Sequence, residues 1–110
     1  MNLKRTLTTT IVILALVRPI AQGVAADADA GKTAYEKTCV GCHGADGKGN
    51  PGMAKVIGEK GLNIVGKDTT TKSDDQLLKV IAEGAGKMPA SKLTKVEQKQ
   101  ALGYVRTLAK

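Results

Sequence analysis

The sequence predicts an all-α domain, and three observations support that prediction. Small and apolar residues recur at i, i+3, i+4 and i+7 in two segments, which is the spacing of one helix face. Two four-residue strings have the form of capping boxes, which open helices. No segment alternates apolar and polar residues as a half-buried strand would. We therefore expect helices joined by long glycine-rich connections.

The first predicted helix runs from Asp29 to Thr38, with Asp27 or Asp29 capping its start. Its inward face is formed by Gly31, Ala34, Tyr35 and Thr38. Residues 44–52 contain four glycines and an Asn-Pro pair, which indicates a loop. Residues 53–57 are predicted to form a short helical turn. Residues 58–72 are predicted to be mostly irregular, with inward anchors at Leu62, Ile64 and Val65.

Two further helices follow from their N-terminal signals. Ser73 and Gln76 form one capping box, and the helix that they open should end at Gly84 and Gly86. Its apolar stripe consists of Leu77, Leu78 and Ile81. Thr94 and Glu97 form the second capping box, which opens a helix toward the C-terminus. The inward face of that helix consists of Ala101, Tyr104, Val105 and Leu108.

The N-terminal segment, residues 1–26, is predicted to be a signal peptide. Lys4 and Arg5 form a basic region, an apolar stretch follows, and residues 24–26 are small. A retained membrane anchor is the alternative. It would need about 20 apolar residues, and threonines and Arg18 interrupt this stretch. The prediction is therefore an exported, periplasmic domain at residues 27–110, with no stable membrane insertion after cleavage.

Size and charge limit what this domain can be. Cleavage leaves 84 residues without Trp or Phe, which is little material for a hydrophobic core. Small scaffolds of this kind usually need a staple. The 14 basic and 10 acidic residues that remain give a net charge of +4, which suits an acidic docking partner or simply a lysine-rich surface. Nucleic-acid binding is not indicated, because the lysines are scattered and no aromatic residues lie among them.

The string Cys39-Val40-Gly41-Cys42-His43 has the form of a covalent haem attachment site. Two thiols at this spacing can form thioether bonds to one porphyrin, and the histidine that follows can bind the iron. We therefore predict one haem c, held by Cys39 and Cys42, with His43 as an axial iron ligand. The porphyrin would also supply the missing staple. A disulfide between the two cysteines would close too small a loop to stabilise the fold much.

The second axial ligand has several candidates. His43 is the only histidine, so Met53, Met88, a lysine, water or an open position remain. We predict Met88, because Pro89 favours an extended backbone before it, and this conformation can present a thioether from a loop. Met53 would then fill the core, and Lys87 would be the substitute ligand if the loop rearranged. The other ring nitrogen of His43 should be hydrogen-bonded, and the Pro51 carbonyl is the acceptor that we predict.

The chain resembles the class I cytochromes c, in particular the small single-haem bacterial ones. The resemblance covers nearly all of residues 27–110. It depends on the haem motif, Gly47-Lys48-Gly49, Met88-Pro89 and the ending Gly103-Tyr104-Val105-Arg106. It implies a fold of three to five helices wrapped around one covalent haem, in which Gly31 and Tyr35 meet Gly103 and Tyr104 where the first and last helices cross. Many relatives carry a tryptophan near the propionates, which this chain lacks.

These features together favour a soluble, monomeric electron carrier rather than an enzyme. Histidine and methionine ligation raises the reduction potential and leaves no open position at iron, so electrons would pass between respiratory redox partners through the haem edge. The alternative is a haem-based sensor or peroxidase-like enzyme with a labile sixth ligand. A thiol–disulfide oxidoreductase is less well supported, because the motif follows a helix and no strands surround it. A structural zinc site would need a fourth ligand that is not evident.

Overall fold

The computed structural model describes residues 22–110, with side chains from residue 28. This part of the chain is all-α, as predicted, and contains no strand. Its six helices are α1 (Gln22–Thr38), α2 (Val40–His43), α3 (Pro51–Ile57), α4 (Lys67–Thr70), α5 (Asp74–Glu83) and α6 (Lys95–Leu108). The number exceeds the expected three to five because α2 and α4 are single turns of four residues.

The helix boundaries differ from the sequence prediction mainly at their starts. Helix α1 begins at Gln22, seven residues before the predicted Asp29, and α3 begins at Pro51 rather than Met53. Proline is favoured in the first turn of a helix, where its missing N–H is not needed, and the Asn50 side chain caps this start. Residues 1–21 of the predicted signal peptide lie outside the described part of the chain.

Both predicted capping boxes are confirmed. The Gln76 amide donates to Ser73 Oγ at 3.3 Å, and the Ser73 amide donates to Gln76 Oε1 at 3.0 Å. Thr94 and Glu97 make the same pair of bonds at 3.2 and 3.1 Å. The hydrogen bond from the Thr94 amide lowers the pKa of the Glu97 carboxyl below its usual value. These polar pairs fix where α5 and α6 begin.

The most extensive helix contact joins α1 to α6. A Cβ atom built on Gly31 would overlap the Gln100 carbonyl oxygen and lie 3.2 Å from Tyr104 Cβ, so the two backbones approach directly. Tyr35 and Tyr104 meet there as predicted, with ring centroids 5.3 Å apart. Gly103 does not make the close approach that the resemblance implied, because a Cβ there would meet no atom within 4 Å.

The core of the described chain is small. Its buried apolar residues are Ala34, Tyr35, Leu62, Leu77, Leu93, Ala101, Leu102 and Val105. Leu62 is therefore the inward anchor that the sequence predicted, whereas Ile64 and Val65 are only half-buried and Thr38 is exposed. Arg106 links α6 to the start of α5. Its guanidinium donates to Asp74 Oδ1 at 2.9 Å and to the Lys72 carbonyl at 2.8 Å.

Candidate haem-binding site

The Cys-x-x-Cys-His string forms a helical turn directly after α1. The Cys39 amide donates to the Tyr35 carbonyl at 2.8 Å, which continues the hydrogen bonding of α1. The His43 amide then donates to the Cys39 carbonyl at 2.9 Å, which closes the turn of α2. Both cysteines are free and half-buried. Because residues three apart in a helical turn are neighbours on one face, this turn brings Cys39 and Cys42 to the same side.

The imidazole of His43 is buried, with 6 % of the residue exposed. Its Nδ1 lies 2.7 Å from the Leu62 carbonyl oxygen. A carbonyl oxygen only accepts, so Nδ1 carries the proton and Nε2 is the nitrogen with a lone pair for a metal. The prediction of the Pro51 carbonyl as the acceptor is wrong, because Nδ1 is bonded to Leu62 instead. Pro51 is the first residue of α3, where its carbonyl serves as an acceptor within the helix.

The loop after His43 folds back over the haem motif and donates hydrogen bonds to its backbone carbonyls. The Gly49 amide donates to the His43 carbonyl at 2.7 Å, and the Asn50 amide donates to the Cys42 carbonyl at 2.9 Å. Gly49 has a φ of +105°, and a Cβ there would lie 3.1 Å from Leu62 Cβ. The loop therefore packs against Leu62, the residue whose carbonyl accepts from the histidine.

Tyr35 secures the other end of this loop. It is fully buried, and its hydroxyl donates to the Gly44 carbonyl at 2.6 Å. Burial raises the pKa of the Tyr35 hydroxyl to about 12, so this group stays protonated and remains a donor. A residue from the α1–α6 crossing thus fixes the position of the chain immediately after His43.

Met88 lies in a separate segment that follows α5. Ala85 and Met88 exchange two backbone hydrogen bonds, of 3.0 and 2.9 Å, across a two-residue turn. Gly86 has a φ of +56°, as this tight turn requires. A Cβ on Gly84 would overlap the Met88 carbonyl oxygen and lie 2.8 Å from the Ala90 nitrogen. The backbone around Met88 is therefore packed against the end of α5, and its side chain is half-buried.

A lysine connects this segment to the part of the chain that follows the haem motif. Lys87 Nζ donates to the carbonyl of Ile57, the last residue of α3, at 2.8 Å. Sequence reasoning did not find this contact, nor the Leu62 carbonyl, because a backbone acceptor has no residue type that marks it. Met53, the competing methionine, lies within α3 and is also half-buried.

The residues present fit a covalently attached porphyrin. The donor set consists of two free thiols on one turn and an imidazole whose Nδ1 is already hydrogen-bonded. Several apolar residues of the described chain are only half-buried, so the fold leaves apolar surface that a large apolar ring could cover. They are Val40, Met53, Ile57, Ile64, Val65, Leu78, Val80, Ile81 and Met88.

The structure gives less support to the two non-haem interpretations of the cysteines. Burial raises the pKa of the Cys39 thiol, whereas a redox-active thiol needs a lowered value. Cys39 and Cys42 are not joined in a disulfide. Among the side chains that the structure describes, those of residues 28–110, no three of His, Cys, Asp or Glu cluster as a metal site would require.

A helical fold in which a Cys-x-x-Cys-His turn carries a buried histidine is typical of a cytochrome c domain, a protein module for haem-based electron transfer. The chain belongs to the family described as cytochrome c oxidase, cbb3-type, subunit III, which matches residues 26–105. The resemblance to c-type cytochromes is thereby confirmed, and membership of this family implies a covalently bound haem c and redox partners. Comparisons with curated proteins and with solved structures found no significant match. Among the described helices, none has the length and hydrophobicity to cross a membrane.

Proposed function

We propose that this domain is a single-haem electron carrier, with thioether bonds at Cys39 and Cys42 and with His43 and Met88 as the axial iron ligands. The observation that carries the proposal is the buried His43 imidazole, whose Nδ1 donates to the Leu62 carbonyl at 2.7 Å. This bond fixes the ring and the tautomer and directs Nε2 away from the protein acceptor.

The bound haem supplies a one-electron Fe(III)/Fe(II) couple. The protein residues control how that couple is held. The Leu62 carbonyl fixes the orientation of the imidazole, and the tight turn at residues 85–88 holds Met88 in a fixed backbone position. A thioether ligand raises the reduction potential. If His43 and Met88 both held the iron, no position would remain there for a substrate, and the haem would supply electron transfer only.

The N-terminal segment and the net charge support a proposal for where the domain acts and which kind of partner it meets. We propose that residues 1–26 direct export and that residues 27–110 act as a periplasmic monomer. The net charge of +4 on the mature part would favour redox partners with acidic docking surfaces and would speed their encounter at low ionic strength. The encounter rate should therefore fall as salt is added.

An optical experiment on the matured protein tests the ligand assignment. The Met88→Leu variant should lose the weak red charge-transfer band of a thioether-bound ferric haem and should have a lower reduction potential. Met53→Leu is the matched control, because Met53 is also half-buried, and it should keep both properties. Rapid carbon monoxide binding to the reduced wild-type protein, without the thioether band, would instead favour the haem sensor or peroxidase-like alternative.

The covalent attachment is tested separately. Acidified organic solvent should leave the haem on the wild-type polypeptide and should extract it from a Cys39→Ser, Cys42→Ser double variant. Extraction of the haem from the wild-type protein would refute the assignment of both cysteines.

A further inference from the structure

The hydrogen bond between Lys87 and Ile57 spans 30 residues and joins two segments on either side of the candidate site. Ile57 ends α3, which follows the histidine motif, and Lys87 directly precedes Met88. The last carbonyls of a helix have no partner within the helix, and they carry the negative end of its dipole. A lysine ammonium is a suitable donor for such a carbonyl. The 2.8 Å contact is therefore a favourable one, although Lys87 is an exposed residue.

The position of Lys87 is mechanically coupled to that of Met88. Lys87 is one of only two residues in the turn that the Ala85–Met88 hydrogen bonds close. Gly84 packs against the backbone of residues 88–90, and the Ser91 amide donates to the Ile81 carbonyl at 2.9 Å. This segment is thus attached to α5 at both of its ends. A tether on Lys87 consequently restrains the turn as a unit, and Met88 with it.

We propose that Lys87 is a positioning residue that latches the Met88 segment onto the end of α3 and so controls how readily the thioether leaves the iron. The proposal depends on Met88 being an axial ligand, as proposed above. Without the bond to Ile57, the segment would keep its attachment to α5 but lose its attachment to the motif side of the domain. The turn could then swing outward more often, and the sixth coordination position would open more often.

Ligand exchange in the ferric holoprotein measures this opening. Imidazole is a suitable probe, because it is uncharged at mildly alkaline pH and its approach does not depend on the charge that the substitution removes. Its binding rate at saturating concentration reports the opening of the Met88 segment. Loss of one exposed charge-assisted hydrogen bond should increase that rate about fivefold in Lys87→Ala.

Two further variants separate positioning from a general effect. Lys87→Arg keeps a cationic donor of similar reach and should bind imidazole within about twofold of the wild-type rate. Lys92→Ala removes an equal charge from an exposed lysine that makes no side-chain hydrogen bond within the described part of the chain, and it should match the wild type. In denaturant unfolding, Lys87→Ala should change the unfolding equilibrium constant by no more than the same factor of about five, because unfolding breaks the same single bond, and the other two variants should match the wild type.

The outcomes distinguish failure of the latch from failure of the ligand assignment. A wild-type protein that shows the thioether band while Lys87→Ala and Lys92→Ala bind imidazole at equal rates would overturn the latch alone. A wild-type protein without the thioether band would overturn Met88 ligation and the latch with it. A faster rate in Lys87→Ala that Lys87→Arg restores would support the proposal.

Discussion

Replacing Gly31 with alanine probes the close approach of α1 and α6. The new methyl group would overlap the Gln100 carbonyl oxygen and crowd Tyr104 Cβ at 3.2 Å. The obstructing oxygen belongs to the backbone, so no side-chain rotation relieves the overlap and the helices must move apart. Overpacking of this kind costs up to about 3 kcal/mol, while alanine improves helix propensity over glycine by about 1 kcal/mol. We expect a net loss of about 2 kcal/mol in the free energy of unfolding.

Gly103 provides the matched control on the partner helix. A Cβ there would meet no atom within 4 Å, so Gly103→Ala should only improve the propensity of α6. The expected gain is about 1 kcal/mol, so the two substitutions should have opposite signs.

The assay is guanidinium unfolding of the haem-loaded proteins, monitored by far-ultraviolet circular dichroism. The comparison requires that the unfolding free energy depend on denaturant concentration with the same slope in all proteins. In thermal melts, Gly31→Ala should lower the midpoint by roughly 10 °C. Equal stability of Gly31→Ala and wild type, or destabilisation of both variants, would refute the described crossing.

Two other substitutions test the contacts around the histidine. Tyr35→Phe removes the hydroxyl that donates to the Gly44 carbonyl and should cost about 1 kcal/mol of stability at neutral pH. The raised pKa of Tyr35 also contributes to the free energy of unfolding; this contribution is complete below about pH 10 and is lost as the pH rises through about 12. The Tyr35→Phe variant should lack this alkaline loss. Identical curves of stability against pH for the variant and the wild type would contradict the assignment. Gly49→Ala combines a φ of +105° with a clash at Leu62 and should shift the reduction potential, which voltammetry measures. Pro51→Ala should leave the potential nearly unchanged, and a larger shift for Pro51→Ala than for Gly49→Ala would contradict the geometry described here.

Local sequence signals predicted the helices well where side chains form the signal. The Ser73 hydroxyl pairs with Gln76, and the Thr94 hydroxyl pairs with Glu97, in each case three residues later. Helices α5 and α6 begin directly after Ser73 and Thr94, as these pairs predict. The single-turn helix α4 carries no such capping bond and was not predicted. Its residues take their conformation from neighbouring elements, since a four-residue helix has little stability of its own.

The candidate site was predicted only as far as residue types reveal it. The Cys39–His43 string identified the haem motif because thiols and an imidazole are chemically distinctive. The acceptor for His43 was predicted incorrectly, because any residue can offer a carbonyl and only the path of the chain selects Leu62 over Pro51. Gly103 was misplaced for a related reason: a glycine permits close approach, but the rotation of the helix decides whether a neighbour is there.

The pairing of α1 with α6 joins segments that lie far apart along the described chain. A chain that emerges N-terminus first must wait for Ala101, Leu102 and Val105 before its largest interface can form. Such long-range closure slows folding relative to local helix formation. Synthesis that stalls before α6 would thus leave an open, protease-sensitive polypeptide, even though every residue of the haem motif had already appeared.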